Sequence, residues 1–226
     1  MMAQDTGPAR FGVERYPVVL FDFDGTLANT GAAVMRIART VLERRGIEPT
    51  EGDLSKMIGP PLVDGFRDVF GLAQGEAEEL TAAYRALFAT DVTAADYPPI
   101  PGVPELLEGL RAQGRRLAVA TSRMEASARE MIEGLGWAPL FDAVCGRIEP
   151  GRLTKADSIR AVLAELGASP RDAVMVGDRH HDVEGSREVG MSCIGVYTGA
   201  ALPGEHDIAD ASCRDMAEVA RLLGVA

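Results

Sequence analysis

Ten residues near the N-terminus, Val18-Val19-Leu20-Phe21-Asp22-Phe23-Asp24-Gly25-Thr26-Leu27, leave few folds open to this chain. An apolar run this short and unbroken predicts a central strand of a parallel sheet, covered on both faces and so without polar alternation. Its two carboxylates then stand at the C-terminal end, where open α/β sheets place their ligands. Asp22 and Asp24, two apart, address one side of a strand. Gly25 permits a sharp turn that leaves polar groups facing the crevice, and Thr26 adds a hydroxyl. Crowded carboxylates raise each other's pKa unless a cation neutralises them, so the pair points to a shared proton or a metal. Oxygen donors alone select a hard ion, with Mg2+ first. An isolated Asp-x-Asp is as readily a helix cap beside a solvated acid, so the rest of the chain has to decide.

The 226 residues suffice for one large domain, or one domain with a smaller insertion. After the first strand, Ala32 to Arg45 carries Val34, Ile37, Ala38, Val41 and Leu42 at helical spacing, with Gly46 as its cap. The next strand pattern, Arg116 to Thr121, comes about seventy residues later, far beyond an ordinary crossover. Helical patterns over Asp53 to Ile58, Leu62 to Phe70 and Glu76 to Val92 fill the gap, and the proline-rich Tyr97 to Gly102 closes it. The expectation is an α/β protein: a Rossmann-like parallel sheet core over 1–29 and 98–226, with a helical cap domain inserted over 30–97. Beyond the insertion, a helix over Val103 to Gln113 precedes strands at Leu117 to Thr121, Ala143 to Cys145, Ala173 to Gly177 and Ser192 to Tyr197. Between them come helices over Glu125 to Leu135, Lys155 to Leu166 and Val183 to Val189. A short strand near Ile208 to Ala209 and a helix from Met216 to Leu223 finish the pattern.

Composition removes several function classes. A net charge of −11 argues against nonspecific nucleic-acid or anionic-membrane binding, which rest on basic surface. No stretch approaches the roughly 20 apolar residues that span a bilayer. Met1 to Glu14 is polar, without the apolar core of a secretory signal, and a cytoplasmic protein is expected. Cys145, Cys193 and Cys213 are too few and too irregular for a disulfide framework or a zinc site. No residue pattern sets an oligomeric state.

Three further strand ends carry polar groups. Thr121-Ser122-Arg123 places hydroxyls and backbone N–H groups at a strand-to-helix turn, suited to an anionic oxygen, although helix capping alone explains such residues. Lys155 opens a helix as the only lysine in the C-terminal two thirds, and a phosphate among carboxylates needs such a cation. Val174-Met175-Val176-Gly177-Asp178-Arg179-His180-His181-Asp182 repeats the logic of the first run, an apolar strand that ends in glycine and acids. Asp178 is placed to complete a metal site, and Asp182 to ligate it or to hold Lys155. The neighbours His180 and His181 are expected to point apart, which disfavours joint ligation.

In order, Asp22-Phe23-Asp24-Gly25-Thr26, Thr121-Ser122, Lys155 and Gly177-Asp178-Arg179-His180-His181-Asp182 resemble the four stations of the haloacid dehalogenase-like phosphatases. Met57-Ile58-Gly59-Pro60-Pro61-Leu62 looks like the 5′-nucleotidase-like branch, close to the phosphoglycolate phosphatases. The resemblance implies an Mg2+-dependent hydrolase acting on a small phosphorylated metabolite, with no nucleic-acid or membrane partner. Asp22 would be the nucleophile and Asp24 the acid and base. Asp22, the Asp24 backbone carbonyl and Asp178 would hold the ion, while Thr121, Ser122 and Lys155 grip the phosphate. Asp182 would be a supporting acid, and Lys56, Gly59 and Arg123 would contact substrate. A sugar-phosphate mutase on the same scaffold uses the same stations. A non-catalytic phosphate-accepting signalling module shares the chemistry, but at about half the length and without a cap.

Overall fold

The computed structural model describes residues 11–58 and 61–225. Gly59 and most of the N-terminal stretch read for a signal lie outside the described residues. Six parallel strands form one sheet: β1 (Val18–Phe21), β2 (Arg116–Met124), β3 (Ala143–Arg147), β4 (Ala173–Gly177), β5 (Ser192–Val196) and β6 (Ala211–Cys213), in the order β3-β2-β1-β4-β5-β6. All four residues of β1 are buried. Alternation along that strand sends Val19 and Phe21 into one apolar cluster, with Leu106 and Val219, and Val18 and Leu20 into another, with Ile159 and Val183. The sheet is therefore covered on both faces, as an unalternating apolar strand requires. The order reverses at β1, whose neighbours are β2 and β4, so the loops after these strands diverge and open a crevice above β1.

Between the first two strands the chain builds four helices, α1 (Gly31–Glu43), α2 (Glu51–Ser55), α3 (Leu62–Phe70) and α4 (Gln74–Asp91). The chain leaves the sheet and returns to it side by side. Asn29 N–H donates to the Pro98 carbonyl at 2.9 Å, and Ile100 N–H to the Leu27 carbonyl at 3.0 Å. Phe23, just past β1, packs edge-on against Tyr97 at 6.4 Å between ring centres, so the insertion's far end rests on the strand that carries the acids. The remaining helices are α5 (Val103–Ala112), α6 (Glu125–Gly134), α7 (Lys155–Leu166), α8 (His180–Val189) and α9 (Met216–Leu223). No helix among the described residues is long and apolar enough to cross a membrane.

Three expectations fail locally. The strand expected at Ile208 to Ala209 lies at Ala211–Cys213, and Ile208 is 52% exposed. Pairing with β5 begins at Asp210, whose carboxylate accepts from Cys193 N–H at 2.9 Å and whose own N–H donates to the Cys193 carbonyl at 3.0 Å. Strand β2 runs on through Thr121, Ser122 and Arg123 instead of turning there, with a register shift against β3 between Ala120 and Met124. Gly146 on β3 makes this possible, because a Cβ there would lie 2.5 Å from the Arg123 carbonyl oxygen. Helix α8 also starts three residues earlier than expected, at His180.

Candidate active site

Asp22 follows β1 directly and is 7% exposed. Its Oδ1 accepts from the Phe23 N–H at 2.7 Å and meets Lys155 Nζ at 2.8 Å. Both partners approach Oδ1, which leaves Oδ2 for the cavity. Lys155 reaches this point from the first turn of α7, where a Thr154 and Asp157 capping box fixes the helix start. Its ammonium also meets Asp182 Oδ1 at 2.7 Å and donates to the Ala120 carbonyl at 3.1 Å. Burial works against the charged lysine, but Asp182 and Asp22 more than offset it, so the ammonium is held well above its ordinary pKa.

Asp178, at the tip of β4, is 1% exposed, and its carboxylate accepts from Thr26 Oγ1 at 3.2 Å and Ala200 N–H at 3.2 Å. Oxygens of Asp22, Asp178 and Asp182 lie within 4.8 Å of one another. Burial pushes the Asp22 carboxyl up to about 6, and the Asp182 and Asp24 charges add to the rise although Lys155 opposes it. Burial, with Asp182 and Asp22, raises Asp178 well above the carboxylate range. Two buried carboxyls held above their ordinary range, with the Asp182 carboxylate beside them and oxygen donors only, are a setting that a hard divalent cation fits and relieves. Gly25, at φ +79°, is required here on steric grounds as well, since a Cβ would sit 2.4 Å from Asp178 Oδ2.

Asp24 differs from Asp22 in direction. Its side chain turns away from the three acids to a two-pronged pair with Arg123, Nη2 to Oδ1 at 2.6 Å and Nε to Oδ2 at 3.0 Å, and Thr30 Oγ1 donates to Oδ1 at 2.6 Å. Burial works to raise its pKa, but the Arg123 guanidinium and the Thr30 hydroxyl override that and hold the carboxyl below its ordinary value. The Arg123 guanidinium lies 4.8 Å from the centre of the Phe88 ring on α4, joining the acid to the insertion.

Of the other predicted residues, Thr121 is buried, and its Oγ1 accepts from Arg123 N–H at 3.2 Å. Ser122 lines the same cavity as Asp22, Asp24, Lys155 and Asp178. Lys56 stands apart: it is exposed, pairs with Asp53 at 3.3 Å and does not line the cavity. His180 and His181 do not diverge. Their ring centres are 3.8 Å apart, because both belong to the first turn of α8, with His180 Nδ1 3.0 Å from Glu205 Oε1 and His181 on the cavity wall.

Several supporting residues escaped the sequence reading. Arg179 pairs with Glu205 at 2.9 Å and donates to the Ile58 carbonyl at 2.5 Å, tying the acid-bearing loop to the insertion. His206 Nε2 lies 2.8 Å from the Asp178 carbonyl oxygen, and Thr198 Oγ1 donates to the Gly25 carbonyl at 2.7 Å. Thr198 follows β5, so its place at another strand tip was the available signal. Glu205 and His206 sit in a turn-rich segment with none.

Known proteins bear on this geometry. The sequence model of the haloacid dehalogenase-like hydrolases matches residues 19–196. A 5′-nucleotidase of Pseudomonas aeruginosa is 37% identical over 188 residues, 82% of this chain and 84% of its own. The tyrosine-protein kinase PtkA of Mycobacterium tuberculosis is 37% identical over 184 residues, 80% of this chain but 62% of that longer protein. A crystal structure of a predicted phosphatase from Clostridium acetobutylicum superposes with a TM-score of 0.86 at 28% identity, covering 92% of this chain and 97% of the other. Buried acids gathered at the switch point of a parallel sheet, in a sequence matched by the family over most of its length, make this chain a member of the haloacid dehalogenase-like hydrolases.

Proposed function

We propose that this hydrolase is an Mg2+-dependent phosphatase that cleaves a small phosphomonoester through an aspartyl-phosphate on Asp22. The observation that carries the reading is the placement of Asp22: one oxygen is fixed by Lys155 and a backbone N–H, the other is open to the cavity, and Asp178 and Asp182 stand beside it. Asp22, Asp178 and the Asp24 backbone carbonyl would hold the ion. When bound, it neutralises charge on the phosphoryl oxygens and lowers the Asp22 pKa.

The chain's own residues supply the rest. Asp22 Oδ2 attacks phosphorus as the bond to the leaving oxygen breaks, and Asp24 gives that oxygen its proton. Asp24, again a carboxylate, then takes a proton from the water that attacks the aspartyl-phosphate, which releases inorganic phosphate and restores Asp22. Arg123 favours the ionised Asp24 and so the second half of the cycle. Lys155 and the hydroxyls of Thr121 and Ser122 hold the phosphate. The insertion over 30–97 acts as the cap that shields the first step from bulk water.

The test is release of inorganic phosphate from a panel of phosphomonoesters with Mg2+ and without any bisphosphate activator, together with mass detection of phosphate on Asp22. Steady release that vanishes on chelation and in Asp22→Asn supports the reading. Turnover by Asp22→Asn, or a requirement for a bisphosphate, would falsify it.

A further inference from the structure

The cavity above the acids extends well beyond the space a phosphate fills. Its volume is about 520 Å³, within the range of pockets that enclose whole small molecules. Away from the strand tips its walls are apolar: Met57 and Leu62, Tyr84 and Phe88 of α4, and Met124 and Met131 from the core side. Aromatic faces and adaptable thioethers suit a planar apolar group.

The cations on the same wall all have acidic partners. Lys155 is held by Asp22 and Asp182, Arg123 by Asp24 and Arg179 by Glu205. Arg147 and Arg85, facing each other from β3 and α4, both pair with Glu149, at 2.8 and 3.4 Å. Among the described residues, no lysine or arginine on this wall lacks an acidic partner. A second anionic group on a substrate would therefore lose its water without gaining an unpaired cation, and would meet the nearby carboxylates of Glu130 and Glu149. An uncharged ring would instead displace water from apolar wall.

We propose that the preferred substrates are phosphomonoesters of uncharged, ring-bearing alcohols, with the ring against Tyr84, Phe88 and the methionines. Esters carrying a second anionic group, such as phosphoglycolate, are disfavoured. The proposal rests on the phosphatase reading of the site and adds the leaving group to it. Two kinds of alcohol share this chemistry, a nucleoside and an arylalkyl alcohol.

The test uses the full chain loaded with Mg2+ and compares ethyl phosphate, 2-phenylethyl phosphate, adenosine 5′-monophosphate and phosphoglycolate. Ethanol and 2-phenylethanol have similar acidity, so the bond-breaking step is matched and the ratio reports the wall. The expected kcat/KM is on the order of 100-fold higher for 2-phenylethyl than for ethyl phosphate, mostly through KM. Phosphoglycolate should do no better than ethyl phosphate. The faster of the nucleotide and 2-phenylethyl phosphate identifies the kind of ring. Phosphoglycolate equal to or above both ring-bearing esters, or ethyl phosphate equal to them, overturns the proposal.

If no ester is hydrolysed, the phosphatase reading fails, and the leaving-group proposal is decided separately by calorimetry. Tighter binding of 2-phenylethylphosphonate than of phosphonoacetate keeps it, and the reverse or equality removes it. A second variant tests the exclusion directly. Glu149→Gln leaves Arg85 and Arg147 without their acidic partner and should raise phosphoglycolate kcat/KM, or phosphonoacetate affinity, by about 10-fold. No gain would show that paired cations are not what excludes the second anion.

Discussion

The two ends of the active cavity are built on opposite principles. At the strand tips, four acids, a lysine and an arginine are buried or partly buried and held by 2.6–3.2 Å contacts among the ends of β1, β2 and β4 and the first turns of α7 and α8. At the other end, α4 and the turn after α2 present aromatic and thioether groups held mainly by packing, with Phe88 alone also facing the Arg123 guanidinium. Polar contacts at the first end are directional, so a small displacement breaks them. Contacts at the second are shallow and add up, so the wall tolerates change and tunes which molecule is accepted. On the proposed function, chemistry and selectivity are separated along one cavity: changes at the strand tips should act on kcat, and changes in the insertion on KM.

The sharpest way to break this contrast is Asp22→Asn, which keeps the shape but removes the proposed nucleophile. It should reduce kcat by about 10⁴-fold with little change in substrate affinity, measured by single-turnover kinetics and calorimetry. Lys155→Met comes next. It leaves Asp22 and Asp182 as uncompensated buried charges and should cost about 3–5 kcal/mol of stability in denaturant titrations as well as abolishing turnover. Arg123→Met frees Asp24 from its clamp. We expect kcat to fall on the order of 100-fold and the Asp24 carboxyl to rise, moving the acidic limb of the pH profile to higher pH.

Acid should act on the strand-tip end in a definite direction. Without metal, Asp22 titrates near 6 instead of 3.8, so the folded protein holds that proton more tightly than the unfolded chain. The Asp22 contribution to metal-free stability should therefore be fully present below about 4 and be lost as pH rises through 6. Mg2+ affinity should run the other way and weaken as pH falls below about 6, because protons compete for the same carboxylates. Denaturant titrations of the metal-free protein at pH 4 and 7 check the first sign, and calorimetric Mg2+ titrations at pH 5.5 and 7.5 the second. The smallest effect is expected at the other end, where Leu62→Ala should raise KM several-fold and leave kcat within a factor of two.

The strand-tip end was legible because its signals are local. An apolar run that stops in Asp-x-Asp-Gly fixes the strand, its burial and the position of its acids within a few residues. The same holds for Gly177 and Asp178, and a Thr-x-x-Asp capping box starts the helix that carries Lys155. The helices of the insertion were also readable from periodicity. What they face was not, since Tyr84 and Phe88 have the same spacing whether they fill a helix interface or line a substrate wall. Arg123 shows the limit most clearly. Its position suggested contact with substrate, but the continued run of β2 turns it onto Asp24, and that continuation depends on Gly146 of a different strand. Likewise, His180 and His181 were expected to diverge, and their ring centres lie 3.8 Å apart, with the rings tilted by 46°, because α8 begins one turn early.

The sequence alone determined the class of fold, the switch-point strand and the residues that meet there, because each follows from short-range periodicity and from chemistry at strand ends. Only the tertiary structure decided how the charges pair: Lys155 between Asp22 and Asp182, Arg123 on Asp24, and Glu149 between Arg85 and Arg147. Pairing depends on distances of a few ångströms between residues as far apart in the sequence as Asp22 and Lys155, and those distances are set by sheet order, register and packing rather than by neighbouring residues.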